Sequence, residues 1–182
     1  QDRFYFDKKF LINHETYNTQ NPYVYSKLSI LFQEIKNDLD VDGIHIGHDE
    51  LYGYRGSLKK VNVLTEDAFF NDIVKLHSLI DKLDLMVFTW GDMFLSSDSF
   101  TRMYPKSLRG NEKMQKLLYN IPKDIVINTF HYWDINFFDS LLFIYNKGFK
   151  VSGGTWCLSE NIINQTNYVI SNFNFNKRMM VA

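Results

Sequence analysis

The sequence predicts an α/β fold built on parallel strands, and three observations carry that expectation. Four apolar runs, 43–50, 85–93, 124–134 and 149–157, each end in polar, aromatic or carboxylate residues, and 179–182 opens like a fifth. Stretches of helical periodicity separate them, as crossover helices between parallel strands require. No GxGxxG or P-loop pattern occurs, so the glycine-rich first turn of a nucleotide-binding open sheet is missing. The residues able to do chemistry gather at the C-terminal ends of several runs. That favours a partial (β/α)8 barrel over an open doubly wound sheet.

The elements follow in order. Asn21-Pro22 reads as an N-cap followed by proline at the first helical position. Tyr25, Leu28, Leu31, Phe32 and Ile35 then keep helical spacing. GIHIGHDE (43–50) is the first strand. Phe69, Ile73, Leu76, Leu79 and Ile80 make the next helical stripe, and LMVFTWGDM (85–93) the second strand. DIVINTFHYWD (124–134) is the third. Phe138, Leu141, Leu142 and Tyr145 carry a helix for which Gly148 is the expected C-terminal glycine. FKVSGGTWC (149–157) is the fourth strand, and MMVA (179–182) begins a fifth. The runs are nearly continuous in apolar residues, as strands covered on both faces are.

Composition narrows the function classes. The 182 residues carry 20 basic and 21 acidic side chains, a net charge of -1, so no general electrostatic pull toward nucleic acid exists. No apolar run approaches the ~20 residues of a membrane span. Cys157 is the single cysteine, which excludes an internal disulfide framework and a cysteine-based zinc site. Aromatic residues are abundant (16 Phe, 11 Tyr, 3 Trp), and the three tryptophans all fall at strand ends. Ring faces there suit the C–H faces of sugars.

The strand ends hold the candidate chemistry. In His45-Ile46-Gly47-His48-Asp49-Glu50, the period of two puts His45, Gly47 and Asp49 on one face. Glu50 joins Asp49 only if the chain turns there, and the glycines of Leu51-Tyr52-Gly53-Tyr54-Arg55-Gly56 allow it. Paired carboxylates suit acid/base work, because each charge raises the other's pKa. By the same period Trp90 and Asp92 share a face, as do Tyr132 and Asp134, with His131 and Trp133 turned toward the helices. Gly153 and Gly154 imply close packing before Trp156, and Glu160 follows four residues on.

HIGHDE resembles the H-x-G-G-D-E signature of glycoside hydrolase family 20, the β-N-acetylhexosaminidases. W-x-D (Trp90, Asp92), Y-x-D (Tyr132, Asp134) and a glycine pair followed by Trp156 and Glu160 extend the resemblance, in the same order, over roughly residues 10–182. The resemblance implies that the strands are the fourth to seventh of the barrel plus the start of the eighth. A whole barrel takes ~250 residues. The expectation is therefore one incomplete catalytic domain, 1–182, without the N-terminal half of the barrel, inactive alone. The resemblance makes Glu50 the general acid and Asp49 the residue orienting the substrate's own 2-acetamido nucleophile, a substrate-assisted exception among glycosidases. It makes Trp90 and Trp156 walls of the sugar site. Tyr132 becomes a donor to the acetamido carbonyl, Asp134 and Glu160 ligands of sugar hydroxyls, and His45 an orienting group. Asp92 is counted with the substrate-binding residues. The implied partner is an oligosaccharide or glycoconjugate ending in N-acetylhexosamine, with no cofactor or metal. An extracellular or periplasmic location follows from the family alone. Three features depart from the family: His48 stands in place of the second glycine, the Trp156–Glu160 spacing is loose, and the sugar-gripping arginine of an early strand has no match.

Two other readings stay open. His45, His48, Asp49 and Glu50 are proper ligands for a metal-dependent hydrolase if the strand breaks between the histidines. A non-catalytic carbohydrate-binding relative would keep the pocket without needing an acid.

Overall fold

The computed structural model describes residues 10–11, 16–50, 65–96, 99–100, 108–132, 136–155, 158–173 and the strand at 179–181. Among them the order is α1 (Pro22–Asp38), β1 (Gly43–His45), α2 (Glu66–Asp81), β2 (Met86–Trp90), α3 (Glu112–Leu117), β3 (Val126–Phe130), α4 (Asp139–Asn146), β4 (Lys150–Gly154), α5 (Ser159–Asn172) and β5 (Met179–Val181). Short 3-10 turns at Asp92–Phe94 and Leu118–Asn120 follow β2 and α3.

The five strands form one parallel sheet in the order β1-β2-β3-β4-β5. Each strand pairs with its neighbour in sequence and the order never reverses. An open doubly wound sheet reverses at its switch point, whereas a segment of a barrel does not. The fold is thus α/β with a parallel sheet, compatible with part of a (β/α)8 barrel.

The helices start where the residues dictate. The Asn21 side chain accepts from the Tyr23 amide with proline at the first helical position, and Thr65 accepts from the Ala68 amide at the head of α2. Gly148, at φ 91, lies just past α4 in the left-handed conformation that only glycine adopts freely.

The two faces of the sheet differ, contrary to the expectation that both would be covered alike. Ile44, Val87, Thr89, Ile127, Thr129 and Val151 are buried on the helix side with Phe69, Ile73, Leu76, Leu141 and Ile144. On the alternate face Val126 and Ser152 are buried, but His45, Phe88, Trp90, Asn128 and Phe130 are half-buried or exposed. Glycines let the layers close. A Cβ on Gly153 would lie 2.8 Å from the Gln165 side chain of α5, and one on Gly91 would lie 2.9 Å from Ile127. Each strand is also shorter than its apolar run, and the difference falls at the C-terminal ends, where the site is.

Candidate functional site at the strand ends

β1 stops at His45, although pairing continues for two residues. The Ile46 amide donates to Phe88 O at 2.8 Å, and Gly47 O accepts from the Trp90 amide at 3.0 Å and from Thr89 Oγ1 at 3.1 Å. The backbone then turns, with φ values of 74 at Gly47, 70 at His48 and 47 at Glu50. A non-glycine residue in this region costs about 1–2 kcal/mol. The strand alternation expected through Asp49 is therefore corrected: the period of two ends before the carboxylates. The turn that Glu50 needed begins at Gly47, ahead of the glycines at 53 and 56. Asp49 and Glu50 are both exposed beyond it.

His48 is the one large side chain of this turn that is buried, with 7% of its side chain exposed. Its Nδ1 lies 2.9 Å from Ile46 O, and its Nε2 lies 2.8 Å from Asp72 Oδ2. Asp72, on α2, also accepts Tyr17 Oη at 2.5 Å and Tyr25 Oη at 2.6 Å. Burial alone would lower the pKa of His48, but the hydrogen bond and charge of Asp72 and the Ile46 carbonyl outweigh it and hold it above its ordinary value. Burial would likewise raise Asp72, but His48 and then the two tyrosines hold it below the usual carboxylate range. The result is a buried ion pair.

His45 behaves differently. Its Nδ1 accepts the Gly47 amide at 3.0 Å, which places the proton of the neutral ring on Nε2. Burial, partly opposed by the charge of Asp49, pushes its pKa down. It braces the turn as an uncharged acceptor.

Asp92 departs most from expectation. β2 ends at Trp90 and Asp92 opens a 3-10 turn, so the two do not continue one strand face. The residue is 1% exposed. Its Oδ2 accepts the Glu50 amide at 2.9 Å, and its Oδ1 has no hydrogen-bond partner among the described residues. Desolvation pushes its pKa up to about 7. The Glu50 amide opposes the rise, while the charges of Asp49 and Glu50 add to it. A carboxyl so enclosed holds the Glu50 backbone. The backbone carbonyl of Asp92 also accepts the amides of Arg109 and Gly110 at 2.8 and 3.0 Å. That seats Arg109, whose guanidinium reaches Glu50 Oε1 at 3.0 Å. With the Glu50 side chain 55% exposed, this pair is worth at most about 1 kcal/mol.

An aromatic row crosses the strand ends. His45 and Trp90 have ring centroids 4.9 Å apart, Trp90 and Phe130 meet edge to face at 5.5 Å, and Phe130 stacks on Tyr132 at 5.3 Å. Gly154, at the end of β4, lies beside Trp90, and a Cβ there would sit in ordinary contact, 3.5 Å from the indole. Burial raises the pKa of the Tyr132 phenol, and the negative charges of Asp49 and Glu50 raise it further. Tyr132 therefore stays a hydroxyl donor at neutral pH, within the field of both carboxylates. His131 turns to the helix side as expected, fully buried between Thr129 and Ser140, each 3.0 Å from its Nε2.

The structure thus gathers His45, Asp49, Glu50, Trp90 and Tyr132 at one end of the sheet, with Asp92 beneath the turn. Glu160 lies exposed in the first turn of α5, after the same end of β4. Asp134 and Trp156 fall outside the described residues. The proposed metal ligands do not converge: both ring nitrogens of His48 are engaged, and His45 points Nδ1 at its own turn. The described residues that do bring three ligand atoms within 4.8 Å of one another are His77, Asp81 and Asp124, where His77 already bonds Asp124 at 2.8 Å. They lie ahead of β2 and β3, at the other end of the sheet.

Sequence reasoning missed Asp72 and Arg109. Asp72 had a signal, since it lies three residues after Phe69 and four before Leu76 on the buried stripe of α2, where an acid needs a partner. Arg109 had none, because 59 residues separate it from Glu50.

No family model and no curated protein matches the sequence. Solved structures do. The chain is similar to a chitobiase of Flavobacterium johnsoniae (FjGH20), at 18% identity and a TM-score of 0.49, over 77% of this chain and 20% of that one. It is similar to Dispersin B at the same identity and TM-score, over 91% of this chain and 47% of that one. It therefore spans about a fifth and about half of the solved chains it matches.

Proposed function

We propose that the chain carries the acid/base end of a β-N-acetylhexosaminidase of glycoside hydrolase family 20, with β1 to β5 as the fourth to eighth strands of its barrel. The observation that carries this reading is the Asp49–Glu50 turn at the end of β1, at the same end of the sheet as Trp90 and Tyr132, whose phenol feels both carboxylates. The H-x-G-x-D-E pattern supports it independently.

In this reading Trp90 forms a wall of the sugar site, and Tyr132 donates its hydroxyl to the acetamido carbonyl. Asp49 orients the acetamido group as its oxygen attacks C1, and stabilises the positive charge that develops on the oxazolinium ring. Glu50 gives its proton to the departing glycosidic oxygen as the C1–O bond breaks. It then takes a proton from the water that opens the ring. Adjacent placement fits this chemistry, because no enzyme carboxylate has to reach C1 from the opposite face. Asp134, Trp156 and Glu160 complete the site as ligands of the sugar. Arg109 competes with substrate for Glu50, so the acid works only once the sugar has drawn the carboxyl away from the guanidinium.

In the full-length protein, Glu50→Gln should cut hydrolysis of N-acetylhexosaminides by ~10²–10⁴-fold while sugar binding persists. Aryl glycosides with good leaving groups should lose less than alkyl ones, because they need less protonation. Equal loss on both would remove Glu50 from the role of acid.

The Arg109–Glu50 ion pair is the one observation that favours a sugar-binding relative without hydrolysis, since it holds the acid as a partner for a cation. Binding of N-acetylhexosamine by wild-type protein that turns over none of these glycosides would select that reading.

A further inference from the structure

The geometry points to Asp72 as a positioning residue for the Asp49–Glu50 pair, acting through His48. The proposal deepens the reading given above and rests on it for the reaction.

The argument begins with the hydrogen-bond inventory of His48. Ile46 O can only accept, so Nδ1 carries a proton. Asp72 accepts two phenolic hydroxyls and Nε2 at once, which a carboxylate can do and a neutral acid does poorly. His48 is therefore an imidazolium held from both sides. One side is its own strand, at Ile46. The other is α2, 24 residues further along the chain, with Tyr17 and the α1 residue Tyr25 closing on the same carboxylate. Phe69 packs edge-on to the ring at 5.3 Å.

His48 is the residue before Asp49, and its backbone is left-handed, at φ 70. A glycine there would adopt this backbone freely. Histidine does not, so the conformation needs support, and the buried His48 side chain, held by Asp72, anchors it at that residue. The direction in which Asp49 and Glu50 leave the turn thus depends on a helix residue that never meets the substrate. Asp92 fixes the same turn from beneath, at the Glu50 amide, whereas Asp72 acts at the His48 side chain itself.

A coupling experiment separates positioning from plain structural support. Asp72→Asn is made in the full-length protein and again in a His48→Gly background. kcat and KM are measured on a 4-nitrophenyl N-acetylhexosaminide, with thermal melts to verify folding. In the natural background kcat should fall about 10- to 100-fold, as misplaced catalytic groups cause, with KM changed less than about threefold. In the His48→Gly background the same change should cost less than about threefold, because glycine needs no anchor. Equal losses in both backgrounds would make Asp72 a merely structural residue, and an undiminished kcat in a folded Asp72→Asn protein would end the proposal. If Asp72→Asn does not fold, the Tyr17→Phe/Tyr25→Phe pair replaces it in the cycle. A wild-type protein that hydrolyses none of these substrates would sink the reading of the reaction but leave the positioning testable by NMR. Both ring nitrogens of His48 should be protonated at neutral pH, and Asp72→Asn should shift the Asp49 and Glu50 amide resonances. A neutral His48, or unmoved resonances, would overturn it.

Discussion

Asp72 and Asp92 are both aspartates, almost equally buried at 2% and 1% exposure, and both support the turn that carries Asp49 and Glu50. Their charge states nevertheless diverge. Asp72 is surrounded by donors: an imidazolium and two phenols, all directed at its oxygens. Asp92 receives the Glu50 amide on one oxygen, leaves the other unmatched among the described residues, and faces the charges of Asp49 and Glu50. Equal desolvation therefore ends in opposite results, an ionised carboxylate at Asp72 and a carboxyl pushed up to about 7 at Asp92. Burial sets what ionisation costs, and the partners decide whether it occurs.

Removing the charged side of this comparison should have the largest effect. Asp72→Ala leaves the His48 imidazolium buried without its counter-ion, and breaking such a pair costs about 3–5 kcal/mol. Urea unfolding near pH 6 measures it, and a loss below about 1 kcal/mol would show that His48 is not charged.

Proton linkage gives the next prediction. Asp92 binds its proton more tightly folded than unfolded, so stability should fall as pH rises from about 4 through about 7, by a few kcal/mol in all. Asp92→Asn cannot ionise and should remove that slope, while its side-chain oxygen still accepts the Glu50 amide. Asp72 has the opposite sign. Its pKa is lowered, so its contribution is present above about pH 4 and lost as pH falls below that. The raised pKa of His48 makes its contribution complete below about pH 6.5 and lost as pH rises past its folded value. Denaturation curves across pH 3–9 should therefore depart from wild type with opposite signs as pH rises, Asp92→Asn gaining stability over wild type toward pH 7 and Asp72→Ala losing stability relative to it above about pH 4.

Tyr25→Phe should have the smallest effect. It removes one of three donors to Asp72 and leaves the ion pair, a loss of about 1.5–3 kcal/mol for a hydrogen bond to a charged group. It should also move the His48 titration less than the loss of Asp72 does, which NMR can follow.

Much of this was written locally in the chain. The apolar runs placed all five strands, because a strand between helical layers must be apolar wherever it runs. Asn21-Pro22 and Gly148 fixed helix ends through backbone chemistry that needs no distant partner. The spacing of His45, Asp49 and Glu50, and of Trp90 and Tyr132, placed these side chains at strand ends. Strand alternation failed only where the strands themselves ended, at His45 and Trp90, since a period of two holds only while the backbone stays extended. Tertiary structure alone decided the rest. Which backbone amide Asp92 holds, what anchors His48, and which arginine meets Glu50 all depend on pairs 24 to 59 residues apart. Hydrogen bonds and desolvation act through space, and a linear pattern records only neighbours along the chain.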